Sequence, residues 1–232
     1  MRAAPDLVPL GRLAEASNAT FLCELAGELP LRVIYKPIRG EAPLWDFPDG
    51  TLAGREVAAH ELSEALGLHV VPPTILRDGP AGPGAVQLWI EHEGVQRAID
   101  LVNAADASLR PIALFDAIAN NGDRKAGHLL PLADGRILGV DHGVTFAAEP
   151  KLRTVLWHWR GEPLDAAERE VLERAAALLG PDGAGGPLPA ALAEHLTPDE
   201  IGALAARIAA LVAAGTFPQP GEEWPPLPWP LV

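Results

Sequence analysis

The chain has 232 residues, of which 48% are apolar, and this is enough for a real hydrophobic core in one or two modest domains. Its formal net charge of −13 argues against a general nucleic-acid or anionic-membrane binder, because neutralising phosphates requires clustered lysine and arginine. The single cysteine excludes an internal disulfide and a multi-cysteine zinc site. Since the sequence has neither a signal peptide nor an apolar run of about 18 residues, we expect a cytoplasmic monomer without a transmembrane segment.

The first half of the chain has mainly strand-like patterns and one helical pattern. We expect a lead-in over residues 1–10. In the segments that follow, apolar residues, many of them β-branched or aromatic, alternate with residues of other types, and this pattern favours β-strands. The predicted elements are a hairpin of residues 19–25 and 31–37, a helix over Ala53–Leu66, and strands over residues 70–76 and 84–91. The end of the last strand, Leu88-Trp89-Ile90, predicts a hinge where an adenine accepts backbone hydrogen bonds.

Two charged residues of this half point toward phosphate binding. Lys36 ends the second arm of the hairpin, and Glu56 lies in the first turns of the predicted helix. A strand lysine held by a helix glutamate is the arrangement that grips nucleotide phosphates in kinases. Taken alone, Lys36 fits an exposed edge lysine, and Glu56 fits a charge that favours the helix N-terminus. Ser17 and Asn18, just before the hairpin, fit either a ligand-approaching entry loop or a simple turn.

From Ala98 onward the pattern becomes helical. The predicted helices run from Pro111 to Ala119, from Leu164 to Leu179 with a capping box of Asp165 and Glu168, from Leu188 to Leu196, and from Thr197 to about Ala214. Six prolines and two tryptophans follow Phe217, which predicts an extended tail whose tryptophans dock in surface grooves.

A polar loop interrupts the helical half. The helix that begins at Pro111 runs into Asn120-Asn121-Gly122-Asp123-Arg124-Lys125-Ala126-Gly127-His128, and a short strand over residues 136–140 then delivers Asp141-His142-Gly143. Two acids, Asp123 and Asp141, at a loop and a strand end are suited to hold a divalent metal and to orient a hydroxyl. Ordinary loop caps are the alternative for both acids.

Taken together in chain order, Lys36, Glu56, the Asn-Asn-x-Asp-Arg-Lys-x-Gly-His run and the Asp-His-Gly run resemble a known family. The chain is similar to a small actinobacterial family related to the phosphatidylinositol 3-/4-kinases within the protein-kinase-like superfamily, over roughly residues 11–160. The resemblance implies an α+β, bilobal fold with a small β-rich lobe and a mainly helical lobe. The implied divisions are the lead-in at 1–10, a nucleotide-binding lobe at 11–93, a helical lobe at 94–215, and a tail at 216–232.

The resemblance also implies roles for single residues. In the nucleotide site, Lys36 would bind the phosphates and Glu56 would be its helix partner, and Asp123 with Arg124 would form the catalytic Asp-Arg pair. Asp141 would bind the metal, and His128 stands where the family usually has a metal-binding asparagine. A histidine nitrogen is a softer ligand than Mg²⁺ prefers, which leaves Mn²⁺ open beside Mg²⁺.

We therefore expect an ATP- and Mg²⁺-dependent phosphotransferase that acts on an alcohol group of a soluble compound or a protein side chain. Related folds also transfer nucleotidyl groups, so that reaction stays open. A different class is a nucleotide-binding pseudokinase or scaffold, in which transfer is lost. A third reading is a metal-dependent hydrolase that uses Asp123, His128, Asp141 and His142 as a metal cluster.

Overall fold

The computed structural model of the chain describes residues 6–13, 18–27, 30–180 and 186–232. A five-stranded sheet with one helix forms from the first ninety residues, and most of the remaining elements are helices. The expected α+β class, with a β-rich first part and a helical second part, is confirmed.

The elements follow in chain order. They are β1 (Leu7–Arg12), β2 (Phe21–Leu25), β3 (Leu31–Pro37), α1 (Leu52–Ala65), β4 (Thr74–Gly79), β5 (Gly82–Leu88), α2 (Val95–Asn103), α3 (Arg110–Ala119), β6 (Leu129–Pro131), β7 (Ile137–Gly139), α4 (Ala166–Leu179), α5 (Pro187–Leu192) and α6 (Pro198–Ala214). Residues 218–232 form neither helix nor strand. Among the helices of the described ranges, none combines the length and the apolar character needed to cross a membrane.

The large sheet has the strand order β1-β2-β3-β5-β4, and all its neighbouring strands are antiparallel. The predicted hairpin is present as β2 and β3, with Cys23 opposite Val33. Residues 1–10 were expected to form a lead-in, but most of strand β1 lies within them. Pro9 lacks an amide donor, but an edge strand tolerates it, and Leu7 is buried beside Cys23.

The two strands predicted after α1 are shifted, since β4 begins later than expected and β5 begins earlier, at Gly82. Pro72 and Pro73 cannot donate to a ladder, so β4 starts at Thr74 and not at residue 70. The helices agree more closely with the sequence. Asp165 and Thr197 cap α4 and α6 through capping boxes, since each side chain accepts from the amide of a glutamate three residues later.

The apolar interior has two parts. A small cluster lies against the sheet and contains Leu7, Cys23, Val33, Tyr35 and Val86. A much larger cluster fills the helical half, and it includes Ala58, Ala59, Leu62 and Leu66 of α1. Helix α1 therefore packs into the core of the helical half, although the chain reaches it between two strands of the sheet.

Candidate active site

Lys36 joins the sheet to the helical half. It lies near the end of β3, opposite Ala85 of β5, and its Nζ donates to Glu56 Oε1 on α1. The same Nζ lies 2.8 Å from Asp141 Oδ1, just after β7. The side chain of Glu56 is 3% exposed and that of Asp141 is 51% exposed. The three groups thus form a bridge whose Asp141 end is open to solvent.

Both partners of the open ion pair are held in their charged forms. Burial alone would lower the pKa of Lys36, but the carboxylates of Asp141 and Glu56 raise it above its ordinary value. The Lys36 ammonium in turn holds the pKa of Asp141 well below its usual range. A fixed ammonium beside a fixed carboxylate is suited to a polyphosphate and its metal ion.

The Asp-His-Gly segment is fastened to α1. Glu56 Oε2 accepts the backbone amide of His142 at 3.0 Å, so one carboxylate holds both Lys36 and this segment. A Cβ on Gly143 would lie only 3.3 Å from Leu52 Cβ, which explains a glycine there. Asp141 has φ of 63°, a left-handed conformation that non-glycine residues seldom adopt. Strained backbone of this kind is found preferentially at functional sites.

Arg124 lies beneath this loop, fully buried. Its guanidinium forms a bidentate ion pair with Asp116 and donates to the Val140 carbonyl at 2.8 Å. Its Nη2 lies 2.7 Å from His142 Nε2. Burial, together with the Arg124 charge, lowers the pKa of His142 well below its usual value, so the neutral ring accepts from Arg124. Arg124 therefore positions the loop from below, and the same contact occupies the nitrogen that a metal cluster would need from His142.

The side-chain amides of the two asparagines that end α3 hold backbone groups at and near the loop. Asn121 Nδ2 donates to Asp116 Oδ1 at 2.9 Å, and its Oδ1 accepts the amide of Asp123 at 3.0 Å. Asn120 takes the left-handed conformation, and its Oδ1 accepts the amide of Lys151 at 2.8 Å. Side-chain amides thus satisfy the backbone around Asp123 and fix its position.

Asp123 presents a partly exposed carboxylate near this bridge. Burial raises its pKa above the ordinary value, while Lys125, whose Nζ lies 3.0 Å from Asp123 Oδ2, acts in the opposite direction. Sequence reasoning did not place Lys125 in the site. The rarity of lysine was a signal that could have indicated it, because only three of the 18 lysine and arginine residues are lysines. Two of these three, Lys36 and Lys125, contact the predicted acids.

His128 lies in a short 3-10 turn over residues 126–128, with its Nε2 3.3 Å from Asp141 Oδ2. Burial lowers its pKa to about 4, so the ring is neutral at pH 7 and keeps a nitrogen lone pair. Asp141 and His128 can therefore share one cation. Within the described ranges, no three His, Cys, Asp or Glu side chains group as a metal site, so further ligands would come from phosphate oxygens or water.

The remaining predicted nucleotide contacts have mixed outcomes. Ser17 lies outside the described residues. Asn18 Oδ1 accepts the amide of Ala42 at 2.7 Å and thereby holds the chain that leaves β3. At the expected hinge, the amides of Leu88 and Trp89 already donate to the carbonyls of Pro73 and Arg32, at 2.8 and 3.0 Å. A nucleobase would have to use other groups of this half-buried segment, such as those of Ile90.

Solved structures with a similar fold are kinases and their relatives. The chain aligns with hydra Fam20 determined with sugar at a TM-score of 0.63 and 15% identity, covering 91% of this chain and 85% of that one. The Helicobacter pylori proinflammatory kinase CtkA gives 0.52 and 10%, covering 92% and 93%. A Golgi casein kinase gives 0.55 and 13%, covering 90% and 73%. The chain therefore has a protein-kinase-like fold.

At the level of sequence, no family model matches the chain. Protein Rv2133c of Mycobacterium tuberculosis is 44% identical, over 97% of this chain and 92% of the relative. The chain belongs to the same family as Rv2133c.

Proposed function

We propose that this protein is an ATP-dependent phosphotransferase that uses Mg²⁺ or Mn²⁺ and acts on an alcohol group. The observation that carries the proposal is the Lys36 ammonium, which joins the buried Glu56 to the open carboxylate of Asp141. The kinase-like fold supports it. The finer assignment to relatives of the phosphatidylinositol 3-/4-kinases rests on the Asp-Arg and Asp-His-Gly runs of the sequence.

Each side chain has one task in this mechanism. Lys36 binds nucleotide phosphates, and Glu56 keeps the ammonium aimed at them. Asp141 with His128 would hold Mg²⁺ or Mn²⁺, which when bound would neutralise charge on the phosphates. Asp123 accepts the proton of the acceptor hydroxyl, since its raised pKa brings it toward the range of a useful base. Lys125 holds the Asp123 carboxylate in place, 3.0 Å away.

Thermal shift and ATP turnover with Mg²⁺ or Mn²⁺ test the proposal on the parent and on three variants. We expect Lys36→Ala and Asp141→Ala to weaken nucleotide binding at least about tenfold, because each loses a direct phosphate or metal contact. Asp123→Asn should bind nucleotide like the parent and lose turnover by about 100-fold or more. Release of ADP indicates phosphoryl transfer, whereas release of pyrophosphate indicates nucleotidyl transfer.

Asp134→Asn serves as the matched control, because Asp134 is an exposed carboxylate that pairs only locally with Arg136. It should bind and turn over ATP like the parent. Nucleotide-dependent stabilisation without turnover in the parent would favour the pseudokinase reading. Equal ATP binding by the parent, Lys36→Ala and Asp141→Ala would mean that the site is misplaced.

A further inference from the structure

Part of the tail lies along the segment that follows Asp-His-Gly. Residues 224–231, here called the strap, accept hydrogen bonds from four residues of the body through their backbone carbonyls. The bonds run from Trp157 Nε1 and the Thr154 amide to Pro226 O at 2.8 and 3.1 Å, from Arg153 to Pro225 O and Leu227 O, each at 3.1 Å, and from the Ala126 amide to Leu231 O at 2.9 Å. The strap therefore contacts the body through its main-chain carbonyls, as a bound peptide can.

One end of the strap is anchored by a buried lysine. The Lys151 ammonium lies 4.3 Å from the ring centre of Trp224, 5.2 Å from that of Trp45 and 5.3 Å from that of Phe47. It also pairs with Asp46. Trp45 and Trp224 stack with their ring centres 5.5 Å apart, so cation–π contacts and stacking join the strap to the loop between β3 and α1.

The strap lies on the flank of the catalytic loop. The segment that it covers is itself paired with that loop, because the Arg153 amide donates to Asn121 O and the Arg124 amide donates to Arg153 O. The far end of the strap bonds to Ala126, three residues after Asp123. The Lys151 side chain passes 4.0 Å from where a Cβ on Gly122 would lie. The strap therefore contacts the loop at Ala126, and its anchor Lys151 lies near Gly122, the residue before Asp123.

We propose that the strap closes the peptide-binding flank of Asp123, so that the acceptor is a small hydroxyl compound and not a segment of another protein. This inference rests on the proposed function. A protein acceptor that bound through its main chain would need unpaired hydrogen-bond donors beside the reacting group. The donors along this flank, on Ala126, Arg153, Thr154 and Trp157, already bond to the strap. A tethered segment has a high effective concentration and would outcompete a free peptide.

Trp224→Ala tests the inference, because it removes the ring that both Lys151 and Trp45 contact. Trp229→Ala is the matched control, since that ring lies in the same strap and is 83% exposed. Hydrogen exchange at the Ala126 and Thr154 amides reports whether the strap has left. ATP hydrolysis by water and phosphate transfer to dephosphorylated casein report whether the flank has opened.

We expect the parent and Trp229→Ala to leave casein unlabelled and to protect both amides. In Trp224→Ala, exchange at both amides should rise about tenfold, with faster ATP hydrolysis and detectable casein labelling. A Trp157→Phe change, which deletes the bond to Pro226 but keeps an aromatic ring, should act in the same direction and provides a second route.

Three results would overturn the inference. Labelling of casein by the parent at the rate of Trp224→Ala would show that the flank is already open. Increased exchange without faster hydrolysis or labelling would show that the strap closes nothing. If both amides stayed protected in Trp224→Ala, in Trp157→Phe and in the double variant, Trp224 and Trp157 would not anchor the strap. A parent that binds ATP but gives any of these results leaves the proposed function intact, whereas a parent that binds no ATP contradicts that function itself.

Discussion

His128 couples the stability of the candidate site to pH. Burial lowers its pKa to about 4, although the Asp141 carboxylate beside it acts in the opposite direction. The pKa of a histidine in an unfolded chain is about 6.5, so the unfolded chain binds this proton more tightly than the folded one. The stabilisation is therefore complete above about pH 6.5 and is lost as the pH falls toward the folded value. Between pH 7 and pH 5 the loss amounts to about 2 kcal/mol.

Replacing this ring should remove that part of the pH dependence. Between pH 7 and pH 5, the unfolding free energy of His128→Asn should fall by about 2 kcal/mol less than that of the parent. Urea denaturation at a series of pH values measures both. His158→Asn is the control, because His158 is an exposed histidine elsewhere in the helical half. Parallel pH profiles for the parent and His128→Asn would contradict the assignment.

At the scale of elements, helix α1 is fastened by two successive residues. Glu56 accepts the amide of His142, and Arg55 donates to the carbonyl of Thr145 at 2.8 Å. The other end of the Arg55 guanidinium pairs with Glu200 in the first turn of α6. Arg55 is 1% exposed and its guanidinium carbon lies 4.7 Å from the ring centre of Phe47. The turn of α1 that carries Glu56 is therefore also held by the contacts of Arg55 with Thr145 and α6.

Weakening the Arg55 ion pair should affect both stability and the distant site. We expect Glu200→Gln to lower the unfolding free energy by about 1–3 kcal/mol, because it leaves the buried guanidinium with a neutral partner. Nucleotide affinity should fall with it, since α1 carries Glu56. Urea denaturation and a nucleotide titration measure the two effects.

The control for this change is one residue away. Asp199 lies in the same first turn of α6 but is exposed, so Asp199→Asn should cost less than about 1 kcal/mol and leave nucleotide affinity unchanged. Equal losses for the two variants would mean that Glu200 acts only through the helix terminus and not through Arg55.

The elements that sequence reasoning predicted well are those with local signals. Capping boxes marked the starts of α4 and α6, and alternation marked the β2–β3 hairpin. Strand β1 was missed because Pro9 suppresses a strand prediction, while its pairing partner Cys23 lies 14 residues further on. Local patterns contain no information about which distant strand will cover an edge.

The site also contains features that the sequence predicted and features that it did not. The order of Lys36, Glu56, Asp123 and Asp141 suggested a shared site, and the structure brings Lys36 into contact with Glu56 and Asp141. The sequence predicted Arg124 as a site residue beside the catalytic acid, but it could not show that the guanidinium is fully buried, because an arginine in a loop fits the surface equally well. Its burial follows from Asp116, whose carboxylate is also fully buried and compensates the charge.

At the scale of the whole molecule, the two apolar clusters differ greatly in size. The sheet buries one small cluster, whereas the helical half buries a large one that also takes in α1. We propose a boundary near residues 93–94, with α1 energetically part of the helical half. A region with fewer buried apolar contacts opens at lower free energy, so the sheet should open before the helices do.

Cys23 provides a probe of that opening, because it is the single cysteine and its side chain is fully buried in the small cluster. Burial also raises the pKa of the thiol, so it reacts with a thiol reagent only when the sheet opens. We expect labelling by a disulfide reagent to accelerate at urea concentrations below the midpoint of helix loss, followed by circular dichroism at about 222 nm. Since Lys36 lies on β3 of the same sheet, ATP at about 100 times the Kd of the parent should slow labelling by up to about 100-fold in the parent and by about tenfold or less in Lys36→Ala. Labelling that follows the loss of helix at every urea concentration would instead show that the sheet and the helices unfold as one unit.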